Sequence, residues 1–174
     1  MTAIRAAFAG FVVASLVVSH ALAAPAEHPP TVFAPAWDAL VGRWAGEGPD
    51  GVATIGYELD GRILVRRHVA DLPAGGGRPS SHHEDLMTIY PAPDGRNAEA
   101  MYFDSESHVV RYAATWSSDE RTVVFLSFPE EGTPRLRLTW HFDEPGVLSQ
   151  VIEAAPAGGV QFRRFEAGTL KRVP

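Results

Sequence analysis

Several short stretches of this chain hold residue types that do chemistry elsewhere. The densest is His82-His83-Glu84-Asp85, a run of proton carriers and potential metal ligands. On an extended strand alternate side chains point to opposite faces, so His82 and Glu84 share one face while His83 and Asp85 share the other. Neither pair alone makes a metal centre, which needs a third ligand from another strand. A solvated polar strand entrance explains the run as simply, and no metal or other cofactor is expected. Asp104-Ser105-Glu106-Ser107-His108 contains every residue type of a hydrolase triad. A triad needs its nucleophile, base and carboxylate in one hydrogen-bonded line, and the chain has no Gly-x-Ser-x-Gly elbow. Turns collect Asp and Ser to bond their own backbone, so no catalytic residue is assigned here. Asp104 is expected instead as a buried strand-end carboxylate paired with an arginine.

Two arginine doublets complete the set, Arg66-Arg67 and Arg163-Arg164. Alternation sends one guanidinium of each doublet inward, where it would bind a carboxylate or phosphate bidentately. The competing use is internal salt bridging to Glu58, Asp104 or Glu166. Gly75-Gly76-Gly77 lacks the Lys-Ser/Thr of a phosphate loop and reads as a flexible connection.

These side chains must be positioned by strands, because beyond Gly42 the chain shows no long helical period. Segments rich in Val, Ile, Tyr, Phe, Trp and Thr alternate with turn clusters. The punctuation predicts strands at Gly42–Gly48, Val52–Leu59, Arg62–Leu72, His82–Tyr90, Asn97–Asp104, Val109–Trp116, Arg121–Phe128, Arg135–Phe142, Val147–Ala155 and Gln161–Leu170. Asp60-Gly61 is the strongest hairpin signal, pairing Tyr57 with Leu64 and Ile55 with Arg66. One face of that hairpin is then Ile55, Tyr57, Leu59, Leu64, Arg66 and His68, a mixture of apolar and charged groups. In Arg135–Phe142, Leu136, Leu138, Trp140 and Phe142 share a single apolar face. Pro35–Val41 reads as one short helix, with Pro35 at its first position and Trp37, Leu40 and Val41 at helical spacing. Regular spacing and short turns predict an all-β fold, an antiparallel up-and-down β-barrel of about ten strands whose closure removes exposed edges.

The N-terminus has a separate expectation. One arginine, an uncharged apolar run Ala6–Val18 and a small-x-small site at Ala21-Leu22-Ala23 form the layout of a secretory signal peptide spanning residues 1–23. Residues 24–34 read as a flexible leader rich in Pro and Ala, and residues 35–174 as a single domain. About 150 residues remain after removal of the signal, enough to build a core. Export to the periplasm or the exterior is therefore expected, with no membrane span. The chain has no cysteine, which excludes disulfides, thiolate nucleophiles and thiolate metal sites. Its net charge of −6 argues against nucleic acid as a partner.

Leu40-Val41-Gly42-Arg43-Trp44-Ala45-Gly46-Glu47-Gly48 resembles the first strand of the calycin superfamily, which includes lipocalins, fatty-acid-binding proteins and nitrobindin-like haem barrels. Tyr57-Glu58-Leu59-Asp60-Gly61-Arg62, Tyr90-Pro91-Ala92-Pro93-Asp94-Gly95 and Tyr102-Phe103-Asp104-Ser105 are similar, in order and spacing, to a family of bacterial exported proteins thought to share that barrel. The resemblance implies a Gly-x-Trp closing one end, with Trp44 stacked on a basic residue of the last strand, Arg163 or Arg164. The helix that follows the barrel in lipocalins has no counterpart here. A nitrobindin-type haem is not expected, because the last two strands hold no histidine, and His68 and His141 sit in no axial-ligand motif.

The leading functional expectation is an exported barrel that binds a small apolar ligand with, in one form, an acidic head group. Its candidate ligand-binding residues are Trp44, Tyr57, Arg66, His68, His83, Tyr102, Asp104, Trp116, Trp140 and Arg164. Two other classes remain open. One is an acid/base or hydrolytic enzyme using a cavity histidine oriented by a carboxylate, the other an envelope interaction module without a pocket.

Overall fold

A computed structural model describes residues 33–46, 51–74 and 79–174. The signal-peptide and most of the leader expectations, the Pro49-Asp50 part of the first turn and the Gly75-Gly76-Gly77 loop lie outside the described residues. Ten strands follow a 3₁₀ turn: β1 Gly42–Gly46, β2 Val52–Glu58, β3 Ile63–Leu72, β4 Ser81–Pro91, β5 Ala98–Asp104, β6 Val109–Trp116, β7 Thr122–Ser127, β8 Arg135–Glu144, β9 Val147–Ala155 and β10 Arg163–Val173. Each pairs antiparallel with its chain neighbours, and β10 returns to β1, so the sheet closes into a barrel. Among the described residues no helix is long and apolar enough to cross a membrane.

The β2–β3 hairpin shows how local chemistry sets register. Asp60 and Gly61 adopt φ of 55° and 81°, and the Arg62 amide donates to the Leu59 carbonyl at 3.2 Å, the geometry of a tight primed turn. Tyr57 consequently faces Leu64 and Ile55 faces Arg66. Their face is the inner one: Ile55 and Leu64 are buried in the core, and Arg66 is buried with them. Because the period is two, the same register turns Arg67 outward, where it pairs with Glu58.

The expected helix at Pro35–Val41 is a 3₁₀ turn over Pro35–Leu40. Its hydrogen bonds run from Trp37 N to Ala34 O and from Val41 N to Asp38 O, three residues back in each case. Three-residue spacing puts Trp37 and Leu40 on one side, and both are fully buried. The turn plugs one end of the barrel. Trp37 meets Trp116 and Phe125 edge-on, and Phe33 packs on Trp37 and Tyr57.

The last strand runs further than its sequence pattern indicated, and this changes the partner of Trp44. Arg172, opposite Trp44 in the β1–β10 register, places its guanidinium 4.5 Å from the indole ring. Arg163 and Arg164, the expected partners, lie at the other end of β10 and are exposed. Arg172 also donates to the carbonyls of Val41 and Ala39, while the Trp44 indole N–H donates to Leu40 O at 2.8 Å. Gly42 explains the Gly-x-Trp spacing physically. Its φ is +145°, and a Cβ there would stand 2.6 Å from the Arg172 guanidinium.

Candidate functional site

The inner wall divides into two halves. Toward the 3₁₀ plug, Trp37, Trp44, Trp116, Phe125, Trp140, Leu64, Ile89 and Leu148 form a continuous apolar core. Toward the opposite end, the open end in that no 3₁₀ plug covers it among the described residues, the inward faces of β3, β4 and β5 carry Arg66, His68, His83, Asp85, Tyr102 and Asp104. Register brings them together: His68 lies opposite Asp85, Ala70 opposite His83, Met87 opposite Tyr102, and Asp85 opposite Asp104.

Asp85 is the hub of this cluster. Its side chain is only 5 % exposed, and each oxygen has its own partners. Arg66 holds Oδ1, while the Nδ1 of His68 lies 2.9 Å from Oδ2 and the Nε2 of His83 lies 3.4 Å from the same oxygen. The other ring nitrogen of His83, Nδ1, sits 2.9 Å from Oε2 of Glu106 in the β5–β6 turn. Beside this chain of contacts, the Tyr102 hydroxyl donates to Asp104 at 3.3 Å. Asp104 accepts the backbone amides of Glu106 and His108, and the Nδ1 of His108 lies 2.8 Å from its Oδ2.

Asp104 is therefore a buried strand-end carboxylate, as its place suggested, but its partners are a turn and a histidine rather than an arginine. Ser105 is not aligned with His108; its hydroxyl accepts the Glu84 amide and contacts Glu106. The buried arginine partner is Asp85, reached by Arg66 across the β3–β4 register.

The surroundings shift the proton equilibria in a coherent direction. Burial alone would raise the Asp85 carboxyl, yet the His68 hydrogen bond and the Arg66, His68 and His83 charges hold it below the usual carboxylate value. Burial opposes charge on His83, but Glu106 and Asp85 outweigh that and raise its pKa. Burial and the Asp85 and Asp104 charges push the Tyr102 phenol up, so it remains a donor. The cluster thus carries the carboxylates of Asp85, Asp104 and Glu106 against the single guanidinium of Arg66. A proton on His83, or a bound cation, offsets part of that excess.

Two further observations bear on binding. The Nε of Arg66 is buried without a hydrogen-bond partner, as are the indole nitrogens of Trp37 and Trp116 in the closed half. Next to the core, Tyr102, Val110, Leu136 and Leu138 are half-buried, and Val110 lies opposite Tyr102 in the β5–β6 register. Two surface grooves lie elsewhere. One of about 660 Å³ runs between Ala39, Arg121, Phe142 and Arg172 at the closed end, and one of about 410 Å³ lies between Asp71, Pro73, Ser81 and His82.

The ten residues expected to bind ligand therefore separate. Arg66, His68, His83, Tyr102 and Asp104 come together at the open end. Trp44, Trp116 and Trp140 belong to the packed closed half, and Trp140 bonds Gln150 through its indole N–H at 3.0 Å. Tyr57 sits at the closed rim, donating to Asp38 at 2.6 Å, and Arg164 is exposed on β10. The expected list lacked Asp85 and Glu106. Face-sharing of His83 and Asp85 was the available signal for Asp85. Glu106 stands in the Asp104–His108 run that the sequence already marks, but its contact with His83 needs the β4–β5 register, which no local pattern supplies.

A closed ten-stranded antiparallel barrel, plugged at one end and holding a histidine–carboxylate–arginine cluster at the other, is the class of protein that these observations define. Compared with known families and curated proteins, the chain matches no family model and no curated protein.

Proposed function

We propose that this chain is an exported, calycin-like binding barrel that receives a small amphiphilic ligand at its open end. The observation that carries this reading is the buried, unpartnered Nε–H of Arg66, in the same cross-strand row as half-buried Tyr102 and Val110. A buried donor without an acceptor is costly, and a carboxylate or carbonyl oxygen on a ligand would satisfy it. The apolar part of the ligand rests on Leu136, Leu138 and Val110, with Tyr102 and His83 beside its head. It is short, because the aromatic residues expected as its walls already fill the closed half with one another.

Native mass spectrometry tests the reading on chain purified without denaturation, followed by a panel of fatty and aromatic acids. The expected result is a one-to-one adduct that Leu138→Trp abolishes by filling the mouth. An apo mass from every preparation, with no adduct from the panel, would overturn it. The His68–Asp85 contact of 2.9 Å favours a second reading, acid/base catalysis on the bound molecule. Turnover lost in His68→Gln with the adduct retained would select it.

A further inference from the structure

We propose that His68, His83 and Asp85 are the protein ligands of a mononuclear site for a divalent first-row metal ion of the zinc class, with its remaining coordination directed to the open end.

The two ring nitrogens of His83 both lie against carboxylates. Nδ1 is held by Glu106 at 2.9 Å and Nε2 faces Asp85 at 3.4 Å. A neutral imidazole has one N–H, and Glu106 fixes it on Nδ1. The unprotonated Nε2 then lies 3.4 Å from a carboxylate oxygen, and two electron-rich atoms this close repel unless a positive charge lies between them. A proton supplies that charge at low pH. A metal ion supplies it with directional bonds.

The distances suit an ion. Ligand atoms of His68, His83 and Asp85 all lie within 4.8 Å of one another. Tetrahedral bonds of about 2.0–2.1 Å set ligand atoms about 3.3 Å apart. The 3.4 Å of His83 Nε2 to Asp85 Oδ2 already meets that, and His68 Nδ1, 2.9 Å from the same oxygen, needs a shift of a few tenths of an ångström.

Outer contacts match what a metal site requires. A ligating histidine generally donates its other N–H to a carboxylate or carbonyl, as His83 does to Glu106. Arg66 occupies Oδ1 of Asp85 and so aims Oδ2 at the two rings. The Arg66 charge opposes a cation, but Asp104 and Glu106 add two carboxylates nearby. Side-chain exposures of 14 % for His68 and 22 % for His83 leave the site reachable from solvent. Two imidazoles and a carboxylate, in a chain without cysteine, select zinc, cobalt or iron(II) over soft metals.

Asp104, Glu106 and His108 form a second potential group, but Asp104 is spent on the turn amides and His108 is 69 % exposed. It serves as the internal control. The metal reading stands apart from the ligand reading, since uptake is measured with no organic molecule present.

The test uses the full chain, stripped with chelator and titrated with Zn²⁺ by calorimetry and with Co²⁺ by visible absorption. One equivalent should bind, with Co²⁺ bands of four- or five-coordination. His83→Gln and His68→Gln should each lower Zn²⁺ affinity at least about tenfold, and Glu106→Gln about 10–100-fold, as outer-contact changes do. His108→Gln should change it less than about twofold, having no ligand to remove. Tryptophan emission, confined to the closed half, verifies the fold of each variant. Absence of stoichiometric uptake by the unaltered chain overturns the proposal. So does uptake lost in His108→Gln and kept in His83→Gln.

Discussion

The two ends of this barrel solve opposite problems with the same strands. At the closed end the inner wall is packed with aromatic and aliphatic side chains, and the exposed guanidinium of Arg172 caps it by donating to carbonyls and lying over an indole face. At the open end the same alternation places Arg66, His68, His83 and Asp85 inward, where each depends on the others. Apolar burial at one end supplies the stability that lets the other keep groups that cost desolvation energy. The closed end leaves the indole nitrogens of Trp37 and Trp116 unpartnered, but among the described residues only the open end buries ionisable groups against one another, which is where a functional site is expected.

The largest effect should come from the closed end. Trp44→Ala removes a fully buried indole, its bond to Leu40 and the surface on which Arg172 rests. A loss of about 3–5 kcal/mol is expected in urea unfolding. A loss below about 1 kcal/mol would mean that the plug is not the anchor, and that the difference between the ends is only one of composition.

At the open end the corresponding variant is Asp85→Ala, which leaves Arg66 buried and uncompensated. Removing one partner of a buried pair costs about 3–5 kcal/mol, whereas replacing both with apolar side chains is often neutral. Arg66→Met with Asp85→Leu should therefore regain most of the stability lost in Asp85→Ala, while taking up no zinc. That pattern, read by urea unfolding and calorimetry, separates the cluster's chemistry from its structural upkeep. A double variant as unstable as the single one would show that the pair holds the barrel together.

Legibility in the sequence divides along the same line. Strand positions were readable because Gly, Pro and Asp mark the turns, and the Asp60-Gly61 hairpin set the β2–β3 register without tertiary information. Alternation also gave the inner face of β8. Arg172 was missed because Leu170 looked like the last patterned residue, and the strand's continuation is imposed by pairing with β1. The Arg66–Asp85 pair was missed for a related reason. A Gly/Pro-rich loop joins β3 to β4, its length does not fix a register, and only the register says which carboxylate meets Arg66.

A gentler probe of the open end is pH. His83 holds its proton more tightly in the fold than the usual imidazole, so its contribution is fully present below about 6.5 and is lost as pH rises through the higher folded value. Asp85 is shifted the other way. Its contribution is fully present above the ordinary 3.8 and is lost as pH falls through the lower folded value. Metal-free protein should thus be most stable between these limits. Glu106→Gln removes the largest cause of the His83 increase and should flatten the alkaline limb in urea unfolding from pH 5 to 9. An unchanged slope would assign that limb to another histidine, such as His82 between Asp71 and Glu84.

The smallest effect belongs to the residue next to Arg66. Arg67 pairs with Glu58 at 2.8 Å, but both side chains are about half exposed, at 52 % and 47 %. Water screens the pair, and ordering two long side chains offsets much of the attraction, so Arg67→Ala should cost about 0.2–1 kcal/mol, less in high salt. One step along β3 thus separates a guanidinium whose partner is indispensable from one whose partner hardly matters. The two arginines share residue type, strand and a carboxylate at contact distance; only the face differs. If Arg67→Ala proved as costly as Asp85→Ala in the same urea experiment, burial would not be what sets the open-end cluster apart, and its polar groups would be ordinary rim contacts.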